Sequence, residues 1–288
     1  MLRRRTGRGS GASFGKGNRP LLYIVCILLI AGAGLLLYGW WDTNRFDVRR
    51  VTIELDGLPP AFDEFTILQV SDLHNRAYGK DKRDLLREIE RLSFDIVAIT
   101  GDLFDRHRPD RRENGCAFAE AAAKFGPAYF IQGNHERRIG DWAGISAELT
   151  KRGVRVLDNE RITLMKGGQR LDIAGVLEKA TEEDIRPLVT GDACCILLAH
   201  RPEKIEAYAA TGVDLVLSGH AHGGQVRLFG VGLYSPDQGV LPRYTSGVYT
   251  RGHTKLYVSR GAGNHSFLPP RIFNRPEIDL ITLKTPSR

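Results

Sequence analysis

Hydrophobic positions along this chain fall into three patterns. Residues 21–41, LLYIVCILLIAGAGLLLYGWW, are apolar and uncharged without a break. From residue 65, apolar runs of strand length alternate with segments of helical spacing. FTILQVS precedes LLREIERL (85–92), DIVAITG precedes an Ala-rich stretch over 112–125, and AYFIQG precedes GISAELTKRG, which ends at Gly153. Beyond that point the strands come in quick succession: VRVLDN, RITLMK, RLDIAGV, CCILLA, VDLVLSG, KLYVSRG and IDLITLK, with one helix start at Thr181. VTIEL (51–55) reads as an edge strand. Runs that are apolar at successive positions belong to strands buried on both faces. So many strands exceed one doubly wound sheet, and the pattern predicts two mixed sheets packed face to face with helices outside. No linker or internal repeat divides residues 51–288, which predicts a single domain there.

The first apolar run, 21 residues long, reaches roughly 30 Å as a helix, the thickness of a bilayer core. Tyr38, Trp40 and Trp41 fall at its far end, where amphipathic rings favour the membrane interface. An uncleaved anchor over 21–41 is expected. The run is long for a cleaved signal, and no small-x-small site follows it. Six cations and no acid precede it (Arg3, Arg4, Arg5, Arg8, Lys16, Arg19), whereas residues 42–61 hold only Arg45, Arg49 and Arg50. That bias predicts a cytoplasmic N-terminus and an extracytoplasmic domain. Residues 1–20 read as a disordered basic tail. Because the tail carries six of the net seven positive charges, the rest of the chain is near neutral. No basic stripe with interleaved aromatics is present, so a nucleic-acid partner is disfavoured.

Five polar motifs stand where predicted strands end: Asp72-x-His74, Gly101-Asp102-x-x-Asp105, Gly133-Asn134-His135-Glu136, His200, and Gly219-His220-x-His222. Five of the eight histidines lie in them. Ligands bind at the carboxyl ends of such strands. Asp, His and Asn donors suit zinc, iron or manganese, and two such ions would clamp and hydrolyse a phosphoryl group. Taken singly, each motif could be a turn; five in order, each after an apolar strand, predict a metal site. Asp-x-His and His-x-His would aim two side chains one way if the backbone stays extended. Cys26, Cys116, Cys194 and Cys195 form no disulfide framework, and the adjacent pair reads as packing inside a buried strand.

The ordered motif set resembles that of the calcineurin-like metallophosphoesterases, over roughly residues 50–285. GHAHGGQVRLFG (219–230) and LYVSRGAGNHSFLPPRIFNRPEI (256–278) resemble the bacterial membrane-associated, YkuE- or YaeI-like branch. The resemblance implies a four-layer αββα sandwich and an enzyme that hydrolyses phosphoesters, a phosphodiesterase by preference, through attack of a metal-bound hydroxide. It implies two ions, of Mn, Fe or Zn: Asp72, His74 and His222 on the first, Asn134, His200 and His220 on the second, and Asp102 bridging both. His135 would face the phosphate, oriented by Asp105; a helix N-cap is the plainer role for Asp105. Arg106 is a candidate phosphate contact, Glu136 a maker of local hydrogen bonds, and His265 a candidate for the cleft edge. An anchor near the site makes a lipid-linked phosphoester a candidate substrate. Two other readings are a pyrophosphohydrolase of the UDP-diacylglucosamine type, which the expected topology disfavours, and a tethered binding module without turnover, which the complete ligand set disfavours.

Overall fold

The computed structural model describes residues 19–80, 83–264 and 270–286. Most of the basic tail, and His265, lie outside the described residues. Helix α1 (Arg19–Thr43) extends the apolar run by two residues at each end. The first sheet takes β1 (Asp47–Glu54), β2 (Thr66–Val70), β3 (Ile96–Ile99), β4 (Ala128–Phe130) and β5 (Arg155–Val156), with α2 (Asp84–Glu90), α3 (Arg112–Phe125), α4 (Asn134–Ile139) and α5 (Trp142–Lys151) between its strands. The second takes β6 (Glu160–Lys166), β7 (Gln169–Gly175), β8 (Cys194–Leu198) and β9 (Leu215–Ser218), with α6 (Glu182–Ile185) and α7 (Ile205–Ala209). Two ribbons come next: β10 (Arg227–Leu228) with β11 (Val231–Gly232), and β12 (Tyr234–Ser235) with β13 (Gly239–Val240). β14 (Gly247–Arg251) and β15 (Thr254–Val258) complete the second sheet, and β16 (Glu277–Lys284) returns to the first.

The sheet orders are β1-β16-β2-β3-β4-β5 and β14-β15-β9-β8-β7-β6. Both are mixed. β2 to β5 run parallel with β16 antiparallel to β2, and β15, β9, β8 and β7 run parallel between antiparallel edges. Ile67, Ile96 and Ala98 of the first sheet meet Ile173, Ile196 and Leu217 of the second in one buried core. Leu68, Val97 and Ile99 turn outward against Leu85, Phe118 and Leu149 of the helices. Cys195, Leu197 and Val216 do the same on the far side, against Ile185 and Ile205. The result is four layers, helix on sheet on sheet on helix. Strands covered on both faces explain the unbroken apolar runs, and each large aliphatic side chain buried there contributes about 1.5–3 kcal/mol. Cys194 faces the inter-sheet core and Cys195 the outer one, so the pair does pack, and all four cysteines are free.

A buried polar side chain at the centre of the core links the two sheets. Gln69 Nε2 donates to Thr100 Oγ1 and to the Ser218 carbonyl, each at 3.0 Å. It therefore ties the ends of β2, β3 and β9, the strands whose loops carry most of the polar motifs. The ribbons, β14, α4 and α7 are not anticipated by the sequence pattern. Two-residue strands are too short for a period-two signal, and α4 opens inside a Gly-Asn pair that reads as a turn.

Candidate metal centre

Each polar motif leaves the carboxyl end of a parallel strand. Asp72 and His74 follow β2, Asp102 and Asp105 follow β3, Asn134 and His135 follow β4, His200 follows β8, and His220 and His222 follow β9. The two sheets deliver them to one place. Donor atoms of Asp72, His74 and His222 lie within 4.8 Å of one another, and so do those of Asp102, His200 and His220. Asn134 joins the second group, its Oδ1 being 3.3 Å from His200 Nε2. Asp102 stands between the groups: its Oδ2 is 3.9 Å from His74 Nε2 and 3.4 Å from His200 Nε2. All seven residues are buried.

The local backbone corrects one expectation. The Asp-x-His and His-x-His triplets are not extended, because β2 and β9 end before them. Asp72, His74, Asp102, His220 and His222 have φ of 52°, 50°, 51°, 66° and 47°. A left-handed residue other than glycine costs roughly 1–2 kcal/mol, and such strain persists where surrounding contacts over-determine it. Here they do. Asp72 N–H donates to Gly101 O and His74 N–H to Asp102 O, both at 3.0 Å. Asp72 Oδ2 accepts from Ser71 Oγ at 2.6 Å and from His220 N–H at 2.9 Å, linking the two sheets.

Glu136 does more than make local hydrogen bonds. Its buried carboxylate accepts the N–H groups of Gly133 at 2.8 Å, Phe104 at 2.9 Å and Asp102 at 3.0 Å, clamping the loops after β3 and β4 together. Gly133 must be glycine, because a Cβ there would collide with the Asp102 carboxylate. Asp105 caps no regular helix; its Oδ1 accepts His107 N–H at 2.9 Å and lies 3.4 Å from His135 Nδ1. Arg106 N–H also reaches that nitrogen, at 3.2 Å. Burial opposes a charge on His135, but Asp102 and Asp105 outweigh it and raise its pKa.

Two neighbours of the cluster escape the sequence pattern. Asp237, in the turn between β12 and β13, sets Oδ2 2.8 Å from His220 Nε2, and that hydrogen bond with Arg201 nearby holds its carboxyl well below the usual range. Nothing in the sequence around Pro236 and Asp237 has a period or motif that would single it out. Arg271 is fully buried, with Nη2 3.0 Å from His222 Nδ1. Burial, and then the cationic guanidinium, which only donates, disfavour the imidazolium of His222.

The donor chemistry fits cations. His200 gives its Nδ1 proton to the Thr100 carbonyl at 2.8 Å, so Nε2 turns a lone pair toward the oxygens of Asp102 and Asn134. Three acceptors facing one another call for a positive charge between them. Left to itself the imidazole takes a second proton: burial opposes this, but Asp102 pushes its pKa up to about 10. In the other group, Asp72 Oδ1 is buried with no hydrogen-bond partner, 3.6 Å from His222 Nε2, and burial raises that carboxyl's pKa. A small cavity of about 100 Å³ opens onto Asp102, Asn134, His135, His220 and His222. Beside it, Arg106, His107, Arg112 and Arg138 line a second cavity of about 270 Å³.

Comparison with known proteins agrees with this geometry. Residues 65–224 match the family model of the calcineurin-like phosphoesterases. The chain is 31% identical over 268 residues to an uncharacterized metallophosphoesterase of Bacillus subtilis, YkuE, covering 89% of this chain and 92% of that one. It is 28% identical over 269 residues to the phosphodiesterase YaeI of Escherichia coli, covering 88% and 93%. It is 29% identical over 293 residues to a transmembrane protein with metallophosphoesterase domain of Bos taurus, covering 92% of this chain and 62% of that one. With its family model matched across both sheets and the cluster of donors at their common rim, the chain belongs to the calcineurin-like phosphoesterase family.

Proposed function

We propose that this metal-dependent phosphoesterase is a membrane-anchored phosphodiesterase with a two-metal centre. The observation that carries the reading is Asp102, whose one free carboxylate oxygen lies between two groups of buried donors. Asp72, His74 and His222 would hold one ion, Asn134, His200 and His220 the other, and Asp102 both. Bound ions would supply an activated water and neutralise charge on the phosphoryl oxygens; Mn, Fe and Zn all suit these donors. His135 donates a proton to the leaving oxygen or steadies its charge, and Asp105 keeps that proton on the imidazole. Arg106, Arg112 and Arg138 receive the remaining anionic part of the substrate in the neighbouring cavity.

The chain would divide into a basic tail (1–20), an anchor (21–41) and a catalytic domain (51–288), with the tail cytoplasmic and the domain outside. The name of the Escherichia coli relative, a phosphodiesterase, and that of the Bos taurus relative, a transmembrane protein, point the same way. An anchored site favours a lipid-linked phosphoester as substrate.

The test is hydrolysis of bis-p-nitrophenyl phosphate and p-nitrophenyl phosphate by full-length protein in detergent, after chelation and after return of Mn, Zn or Fe. Faster cleavage of the diester supports the proposal. Preference for the monoester would make the protein a phosphatase, and a folded, metal-loaded protein without turnover would put a tethered binding module in its place.

A further inference from the structure

The end of α1 does not simply leave the domain. Its last turns dock on residues 270–275. A Cβ on Gly39 would stand 2.9 Å from the Arg271 carbonyl oxygen and 3.0 Å from Ile272 Cγ1, so glycine alone permits that approach. Thr43 Oγ1 accepts Arg271 N–H at 2.8 Å, and Arg275 pairs with Asp42 at 2.7 Å. The Tyr38 ring packs on Phe273 with centroids 5.2 Å apart. If α1 spans the bilayer, Phe273 therefore lies at the depth of Tyr38, one helical turn closer to the lipid than Trp41.

From there a hydrogen-bonded path leads to both ribbons. Arg227 N–H donates to the Ile272 carbonyl at 3.0 Å, Leu233 N–H to the Val226 carbonyl at 2.8 Å, and Leu241 N–H to the Leu233 carbonyl at 3.0 Å. Outside α1, the exposed large apolar side chains concentrate here: Leu228, Phe229, Val231, Val240, Leu241 and Phe273. Phe229 is wholly exposed and Val240 is 78% exposed. Phe229, Leu241 and Phe273 also have left-handed backbones, with φ of 51°, 53° and 52°. Water-facing turns fill such positions with Gly, Asn or Asp, and a bulky apolar residue there is strained as well as poorly solvated. The apolar side chains of all three are poorly solvated in water and gain from entering an apolar phase.

We propose that the two ribbons, with Phe229 in the turn of the first and Val240 and Leu241 at the open end of the second, opposite its Asp237 turn, insert into the same bilayer surface that α1 enters. This rests on the anchor reading of α1 and deepens the proposed function. The β12–β13 turn carries Asp237, which contacts His220, and Pro236 and Asp237 line the cavity over the donor cluster. Ribbons seated in lipid would open that cavity at headgroup level, and the substrate would be a phosphoester carried on a lipid.

The test uses full-length protein with Cys26→Ser, since Cys26 is exposed and the other three cysteines are buried. An environment-sensitive fluorophore is attached at Phe229→Cys, Leu241→Cys or Val240→Cys, the last at an ordinary backbone position. Met165→Cys, on exposed β6 far along the second sheet, is the control. Each is reconstituted into phosphatidylcholine–phosphatidylglycerol vesicles containing a lipid nitroxide near the headgroup. The ribbon probes are expected to be quenched severalfold more than the control. Equal, weak quenching in protein that still floats with the vesicles would overturn the insertion and leave the anchor standing. Protein that fails to float would overturn the anchor reading and the insertion with it.

Discussion

Asp102 Oδ1 accepts the backbone N–H of His135 at 2.7 Å. That bond fixes the carboxylate and leaves Oδ2 to face His74 and His200. It also sets the start of α4, so the residue proposed to bridge the metals and the residue proposed to meet the leaving oxygen share one support. The two proposed roles and the fold of one loop are thereby joined.

His135→Ala keeps the backbone N–H that Asp102 uses, so the metals should stay bound. Turnover should fall by about a hundredfold to ten-thousandfold, the usual contribution of a positioned acid or base. Metal analysis beside steady-state rates separates the two effects; unchanged rates would remove His135 from the mechanism.

Asp237→Asn should weaken metal binding by about 10- to 100-fold, as loss of an outer partner of a ligating histidine does. Asp237 is partly exposed at the ribbon turn, and its loss should leave the fold intact. Titration of the apo-protein with Zn or Mn, followed by protein-bound metal, measures it. An affinity equal to that of the parent would mean that Asp237 does not orient His220.

Glu136→Gln tests the clamp between the loops after β3 and β4. An amide cannot accept all three N–H groups that the carboxylate now takes. Leaving one buried donor unpaired costs about 1–3 kcal/mol. The urea midpoint should drop at constant slope, and no drop would show that the loops are held by their other contacts.

Acid should weaken the fold through Glu178. Burial pushes its carboxyl up, but Arg201 and Arg137 outweigh burial and leave it lowered from 4.5. Arg137 Nε is 2.7 Å from Glu178 Oε2, and Arg201 pairs with the other oxygen. A carboxyl lowered in the folded state stabilises it above the unfolded value and stops doing so as pH falls through the folded one. Stability should therefore decline as pH drops below about 4.5, and Glu178→Gln should flatten that decline. The same acid slope in the variant would assign it to other carboxyls.

The fold and the donors were legible in the sequence for one reason. Strands such as FTILQVS and CCILLA are buried on both faces, so they stand out as unbroken apolar runs, and the polar residues just after each run are those the sheet presents at its rim. The geometry of that rim was not legible. The left-handed backbones of Asp72 and His74, whose N–H groups bond the loop after β3, and of His222, whose carbonyl accepts from the Asn274 side chain, are set by hydrogen bonds between loops, not by local preference. Glu136 binds residues more than thirty positions away. Asp237 and Arg271 come from segments without periodicity, and only the folded chain brings them to His220 and His222.

Asp102→Asn tests the centre itself. Full-length parent and variant would be stripped with chelator, reloaded with Mn, Zn or Fe, and assayed together for bound metal and for bis-p-nitrophenyl phosphate hydrolysis. The parent should bind about two ions per chain and show activity that vanishes on chelation and returns with metal, and the variant should lose more turnover than the roughly 100-fold that outer-shell changes reach. Parent-like metal content and turnover in Asp102→Asn would contradict the proposed centre.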